Sequence, residues 1–461
     1  MERCIGRFAS WLAELDSPID TCEVGLEILK VAPPKFIHDG VSYQGLENFR
    51  KVHQGSGSDQ LENLAKAASL HLDNSYLIIQ GPPGAGKTYL SAKVITELVN
   101  AGKKVFVSAN GHAAIDNLFE ALLPMIENEG VLYRVGKNDK SQRMDGVCYI
   151  DSKEIASVIS AAEGGVVVGG TIWAGARDDL EKKFDYGFID EAGQFSLANA
   201  VALASSCMNL VMSGDPQQLS QPVQGSHPPQ AASSVLEYLV EDREVVDPDY
   251  GIFLPYTYRM HPDITEVVSA ISYDSMLSSD PVLSRLELVD SSPLPKCGIV
   301  YIPVPHYGNV YRSQEEVKAA KKVAEFLSQR SWVDKFGDLS RVTPDQIMVV
   351  APYNAQTNAL SIALEGLADV GTVDKFQGKE AAFVILSLAA SDGEGSSRGI
   401  DFLFSTNRLN VAISRAKVMS VIIASPTLLQ TRPRTIDQLE LLGAMAKVAK
   451  SAKVVELNQL D

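Results

Sequence analysis

The sequence predicts an α/β protein built on two tandem parallel sheets, and three features carry that expectation. Segments that read as short strands alternate with helical stretches through most of the chain, the pattern of parallel sheets covered on both faces. The strand-like segments fall into two blocks, each about the size of one nucleotide-binding domain. The first block opens on an apolar run, Tyr76 to Gln80, that passes through a Gly-rich octet into a helix-like stretch, Tyr89 to Val99.

In the first block the candidate strands are Tyr76 to Ile79, Lys104 to Ser108, Gly165 to Gly169, Tyr186 to Ile189 and Asn209 to Met212. In the second they are Gly298 to Ile302, Gln346 to Ala351, Val370 to Val373, Phe383 to Leu388 and Val418 to Ala424. The loop-rich stretch from Gln221 to Gln230 and the turn around Asp247 to Gly251 lie between the blocks, so the expected domains are 58–252 and 253–461. Residues 119–164 separate two strands by more than a crossover needs, which predicts a small insertion there. Residues 1–57 are less regular, with one amphipathic stretch from Cys22 to Val31 and a flexible-looking Gln54 to Ser58, and read as an accessory arm or linker.

At 461 residues with 45% hydrophobic content, the chain is long enough for several buried cores. No apolar run is long enough to span a bilayer, and the amino end has no signal-peptide apolar core, so a cytoplasmic setting is expected. Cys4, Cys22, Cys148, Cys207 and Cys297 are scattered, without a CxxC pair or a nearby His. They read as reduced thiols and speak against a zinc finger or a four-cysteine Fe-S site. The net charge of -16 argues against a protein that coats duplex electrostatically, but leaves room for a narrow strand-tracking groove.

The octet from Gly81 to Thr88, GPPGAGKT, predicts a phosphate-binding loop in its strand-to-helix setting. Its backbone N–H groups turn toward the phosphates of a nucleoside triphosphate such as ATP, Lys87 reaches the β/γ oxygens, and Thr88 offers a hydroxyl to Mg²⁺. Phe188 to Gln194, FIDEAGQ, closes an apolar strand with paired carboxylates, suited to Mg²⁺ capture by Asp190 and polarisation of the attacking water by Glu191. Such pairs also serve as solvated or helix-capping groups, so the phosphate loop is what gives this one its meaning. Gly214 to Leu219, GDPQQL, follows another strand and puts an amide where it can sense the γ-phosphate.

The second block carries Tyr258 to Pro262 (YRMHP), Gly371 to Glu380 (GTVDKFQGKE) and Asn407 to Lys417 (NRLNVAISRAK). With these motifs in order, the chain resembles the superfamily 1 helicases of the up-frameshift-like group, subclass B, from about residue 58 to about 428. It is most similar to the helicase half of bacterial proteins that join a RecB-like nuclease to such a motor, through SYLIIQGPPG, FIDEAGQ, GTVDKFQGKEA and FLFSTNRLNVAISRAK.

The resemblance implies two tandem RecA-like P-loop domains with ATP and Mg²⁺ between them. Gly81, Pro82, Pro83, Gly84, Ala85, Gly86, Lys87, Thr88 and Tyr89 would hold the nucleotide, with Asp190 and Glu191 beside it. Arg259 and Arg415 match the arginines that contact the γ-phosphate, the rival for each being a buried structural ion pair. Gln218 matches the γ-phosphate sensor, Tyr258 an adenine-stacking residue, Glu380 a ribose partner, and Gln60 an adenine-reading glutamine. Nucleic acid would meet Ser108, Asn110, His112, Thr171, Trp173, Pro352, Tyr353 and Thr372. Trp173 and Tyr353 suit base stacking or core packing equally, while His112 and His261 read as hydrogen-bonding groups rather than metal ligands. Ala85 and Thr257 depart from the commoner Thr and Gln without removing a catalytic group.

The implied activity is ATP-dependent 5′ to 3′ movement on single strands, DNA in preference to RNA, by a monomeric motor. The short amino-terminal region has little room for a duplex-gripping stalk and barrel, so translocation is the firmer expectation and unwinding the weaker. No nuclease carboxylate cluster is visible, which leaves a stand-alone motor or part of a longer chain with a nuclease as domain or subunit. An ATP-switched nucleic-acid clamp is the second reading. A small-molecule kinase or transport ATPase leaves the second block's arginines unexplained.

Overall fold

The computed structural model describes residues 5–7, 9–10, 13, 23–53, 60–126, 131–136, 143–221, 229–376, 378–393 and 399–460. The readings at Cys4, Cys22, the Gln54 to Ser58 link and Gln377 lie outside these residues. Two compact units are present: Met1–Pro82, Gly86–Pro216 and Ser220–Leu254 form the first, and Pro83–Ala85, Gln217–Leu219 and Pro255–Asp461 the second. Among the described residues no helix is long and apolar enough to cross a membrane.

The first unit is built on an eight-stranded sheet in the order Gly251–Phe253, Tyr76–Gln80, Cys207–Gly214, Phe184–Ile189, Lys104–Ser108, Val166–Gly169, Leu132–Val135, Cys148–Ile150. Every pairing in it is parallel. Tyr76–Gln80 and Val166–Gly169 are buried at every position, as strands covered on both faces must be. Helix Lys87–Asn100 buries Leu90, Val94, Ile95 and Leu98, one stripe at helical spacing.

Three sequence expectations change here. Residues 119–164, expected to hold an insertion, carry Leu132–Val135 and Cys148–Ile150, which extend the same sheet. Within the region expected to be an arm, Val24–Leu29 packs into the first unit. Val24 and Ile28, on helix Val24–Leu29, enter the core that holds Tyr76 and Leu203, and the Tyr76 and Tyr238 hydroxyls donate to the carbonyls of Ala32 and Leu29, each at 2.8 Å. The sheet also runs past residue 252, because Gly251–Phe253 pairs with Ile78 to Gln80.

The second unit holds a six-stranded parallel sheet in the order Asp369–Gly371, Ile347–Val350, Ala381–Ser387, Ala416–Ala424, Gly298–Pro303, Lys453–Val454. Helix Gln314–Ser328 is capped by Ser313, whose hydroxyl accepts from the Glu316 amide, and packs Val317, Ala320, Val323, Ala324 and Leu327 against the sheet's core. Both units are thus RecA-like α/β layers, and in such sheets ligands gather at strand ends, where loops meet helix N-termini.

Candidate nucleotide and nucleic-acid sites

In the first unit the candidate residues share one edge of the sheet. Gly81 follows Tyr76–Gln80, Asp190 follows Phe184–Ile189, Asp215 follows Cys207–Gly214, Asn110 lies just past Lys104–Ser108, and Thr171 just past Val166–Gly169. All are at the carboxyl ends of parallel strands. Gly86 caps helix Lys87–Asn100 with φ of 80°, a left-handed turn that aims the helix N-terminus at the loop. Lys87 Nζ donates to the Gly81 carbonyl at 2.6 Å, so the loop's own backbone holds the ammonium group.

Asp190 is 5% exposed, and its amide donates to the Ser108 carbonyl at 2.9 Å. Burial, then the Glu191 charge, push its carboxyl up to about 7, against the opposing pull of the Lys87 charge. An acid this strained by burial is one that a cation would relieve. The hard-oxygen pair of Asp190 and the half-buried Thr88 fits Mg²⁺ rather than a softer metal. Glu191 has φ of 52°, a left-handed backbone that costs a non-glycine residue about 1–2 kcal/mol and clusters at functional sites. A Cβ on Gly193 would fall 2.4 Å from the Asp215 carbonyl oxygen, so glycine is what lets the FIDEAGQ and GDPQQL segments touch.

In the second unit the charged groups gather at the opposite, amino-terminal edge of its sheet. Glu380 precedes Ala381–Ser387 and Arg415 precedes Ala416–Ala424. Arg259 Nε donates to Glu380 Oε2 at 2.6 Å and its Nη1 to the Ser414 carbonyl at 3.3 Å, while Lys417 Nζ lies 2.8 Å from Glu380 Oε1. Burial pushes the Glu380 carboxyl upward, but Arg259 and Lys417 outweigh it and hold it below the ordinary value. Arg415 is buried and donates to the Lys379 carbonyl at 3.3 Å and to Gln218 Oε1 at 3.4 Å. Thr257 Oγ1 donates to the Pro83 carbonyl at 2.8 Å, a backbone tie made by the residue that stands in place of Gln. Tyr258 is 52% exposed, leaving its ring face open. Gln60 begins helix Gln60–Leu70 and is exposed.

The nucleic-acid candidates divide by burial. Trp173 is 67% exposed, and Asn110 and His112 are exposed, whereas Ser108 is buried. Thr171 is the N-cap residue of Ile172–Gly175. Tyr353 is only 6% exposed, its ring centroid 5.7 Å from that of Phe402. Pro352, Tyr353 and Thr372 line one open hollow of about 380 Å³ together with Tyr311, Phe402 and Arg408. The Arg408 guanidinium lies 4.4 Å from the Phe402 ring centroid.

Residues 58–234 and 231–427 each match a family described as an AAA domain. A DNA polymerase alpha-associated DNA helicase A of Schizosaccharomyces pombe is 28% identical over 410 residues, covering 74% of this chain and 59% of the relative. The ATP-dependent helicase upf1 of the same yeast is 26% identical over 462 residues, covering 86% of this chain and 47% of the relative. The chain is similar to superfamily 1 helicases of the up-frameshift type. It spans less than two thirds of the length of these curated relatives. A solved Arterivirus nonstructural protein 10 helicase, determined with DNA, aligns at a TM-score of 0.42 and 14% identity over 80% of this chain and 63% of its own.

Some groups of the chain escaped the sequence reading. Arg134, on strand Leu132–Val135, is fully buried, with Nε donating to Asp116 at 3.0 Å and Nη1 to the Val135 carbonyl at 2.8 Å. Its Nη2 meets His112 Nδ1 at 2.7 Å, so the hydrogen-bonding role expected for His112 is occupied by Arg134. The signal was a lone Arg in an otherwise apolar run, which only a buried acceptor set makes tolerable. His261 Nδ1 accepts from the Asp263 amide at 3.1 Å, and burial lowers its pKa. Cys297 Sγ donates to Asp263 Oδ2 at 3.4 Å, and burial followed by the Asp263 charge pushes the thiol up to about 12. The ligand atoms of His261, Asp263 and Cys297 lie within 4.8 Å of one another, so the expectation that no cysteine has a His neighbour holds along the chain but not in space.

Proposed function

We propose that the chain is an ATP-dependent motor that moves 5′ to 3′ along single-stranded nucleic acid, DNA ahead of RNA, coupling hydrolysis at the phosphate loop to strand movement. The observation that carries the ATP-hydrolysing part of this reading is the Lys87, Asp190 and Glu191 set, an ammonium group at a helix N-terminus in electrostatic contact with a buried acid beside a left-handed Glu, while the polarity and the preference for DNA rest on the family resemblance. Thr88 and Asp190 would hold Mg²⁺, which when bound neutralises charge on the β and γ oxygens. Lys87 exchanges the Gly81 carbonyl for phosphate oxygen. Glu191 orients the attacking water and accepts its proton, and Gln218 senses the γ-phosphate.

Arg259 and Arg415 supply cationic charge as the phosphoryl group departs, and Arg259 must leave Glu380 to do so. Glu380 is then free for the ribose, while Tyr258 stacks on adenine and Gln60 reads it. Trp173, by its exposure, is the stronger stacking candidate, and Tyr353 supports the hollow whose rim includes Pro352 and Thr372. Asn110, His112 and Thr171 are the remaining strand-contact candidates of the first unit, while Ser108 is buried beneath them as support. The resemblance to nuclease-fused helicases supports a nuclease partner, in this polypeptide or another.

The Arg259–Glu380 pair also supports a second reading, a slowly hydrolysing clamp that holds a strand without unwinding it. Duplexes with a single 5′ or 3′ tail separate the two. Displacement from the 5′ tail alone supports the motor, displacement from the 3′ tail alone overturns its polarity, and ATP turnover without displacement from either supports the clamp or translocation without unwinding.

A further inference from the structure

Three histidines that the sequence keeps apart meet in the first unit. His38 ends strand Lys35–His38, His53 caps the carboxyl end of helix Leu46–Val52, and His71 follows helix Gln60–Leu70. One ring nitrogen from each lies within 4.8 Å of those of the other two. His38 Nδ1 and His71 Nε2 are 3.2 Å apart, and the His38 and His53 ring centroids 4.1 Å.

Two further details point to an occupant. His53 Nε2 is buried with no hydrogen-bond partner among the described residues, an unfavourable state unless something meets the nitrogen. On the other side of its ring, His38 Nε2 lies 3.3 Å from Asp39 Oδ2. A carboxylate behind an imidazole fixes the tautomer, leaving the second nitrogen's lone pair for a metal. The Phe49 ring, stacked on His53 at 4.4 Å between centroids, restricts how that imidazole can turn.

We propose that His38 Nδ1, His53 Nε2 and His71 Nε2 form a binding site for one zinc-class divalent ion, completed by water. Tetrahedral Zn–N bonds of about 2.0–2.1 Å place donor nitrogens about 3.4 Å apart, so the His38–His71 pair already has the spacing and the third nitrogen needs only a small shift. A set of three imidazoles selects zinc, copper or nickel over the hard cation at Thr88 and Asp190. The ion ties hairpin Lys35–Gln44, helix Leu46–Val52 and the end of helix Gln60–Leu70 together, and so fastens the amino-terminal region to the first unit. This site does not depend on the nucleotide reading.

The test uses the full chain without an affinity tag, stripped by chelator and titrated with Zn²⁺ by calorimetry, with thermal unfolding followed in parallel. One equivalent should bind with sub-micromolar affinity and raise Tm. His53→Gln and His71→Gln should each remove that equivalent and its Tm gain while keeping the far-ultraviolet spectrum, and Asp39→Ala should weaken it about 10–100-fold. Cys297→Ser should leave it intact, which separates it from the His261, Asp263 and Cys297 group. Binding weaker than micromolar in the unsubstituted chain, or unchanged in both His variants, or lost in Cys297→Ser, overturns the proposal.

Discussion

Replacing Asp190 by Asn should stabilise the nucleotide-free protein at alkaline pH while removing its turnover. The Asp190 carboxyl is pushed to about 7 from an ordinary value of 3.8, burial being the larger cause and the Glu191 charge the second. A carboxyl whose pKa is higher folded than unfolded destabilises the fold in its charged form. That cost is absent below the unfolded value, grows as pH rises, and is complete above the folded one. The displacement corresponds to at most about 4 kcal/mol, of which about 3 kcal/mol develops between pH 5 and pH 8. Asn is isosteric and carries no charge, so its advantage over Asp should be about 1–2 kcal/mol at pH 5 and should grow by up to about 3 kcal/mol more by pH 8. Hydrogen exchange of strand Tyr76–Gln80 in urea reports the first unit on its own. Adding Mg²⁺ with ADP to the unsubstituted protein should close the gap, since the ion offsets the buried charge. Equal pH slopes for the two proteins would refute the reasoning.

Lys87→Ala should lower ATP turnover by about 100-fold or more while the far-ultraviolet spectrum keeps the fold, with some loss of thermal stability at alkaline pH because the Lys87 charge no longer offsets that of Asp190. Arg415→Ala should cut kcat by about 10³-fold while calorimetry shows nucleotide binding retained; equal loss of both would assign the residue a structural role. Glu191→Gly should relieve the left-handed backbone and raise stability by about 1 kcal/mol in urea titrations, while hydrolysis is lost. Glu380→Gln should free Arg259 and Lys417 from an ion pair, and its effect on kcat should shrink as salt is raised, a dependence that a purely packing role would not show.

Much of the fold could be read because its central strands are buried on both faces. Val105 to Val107 and Tyr76 to Ile79 are apolar runs inside strands Lys104–Ser108 and Tyr76–Gln80, and the phosphate loop and carboxylate pair are local in sequence. The sheet edge was not legible. Cys148–Ile150 is three residues long and part exposed, and Leu132–Val135 carries Arg134, so neither gives an apolar run that stands out from a loop. Long-range pairings were equally hidden. The closeness of His38, His53 and His71, the Arg259–Glu380 bond and the buried His306–Glu316 contact at 2.8 Å join residues that no periodicity relates. The amphipathic helix Val24–Leu29 was visible, but not that its apolar face completes the first unit's core.

ATP turnover of the unsubstituted chain, measured with and without single-stranded DNA and RNA at low and moderate salt, tests the central claim most directly. A motor of the proposed kind should hydrolyse ATP faster when a single strand is present, and raising the salt should weaken that stimulation as phosphate contacts are screened. Absence of turnover, or turnover that no strand alters at either salt concentration, would contradict it.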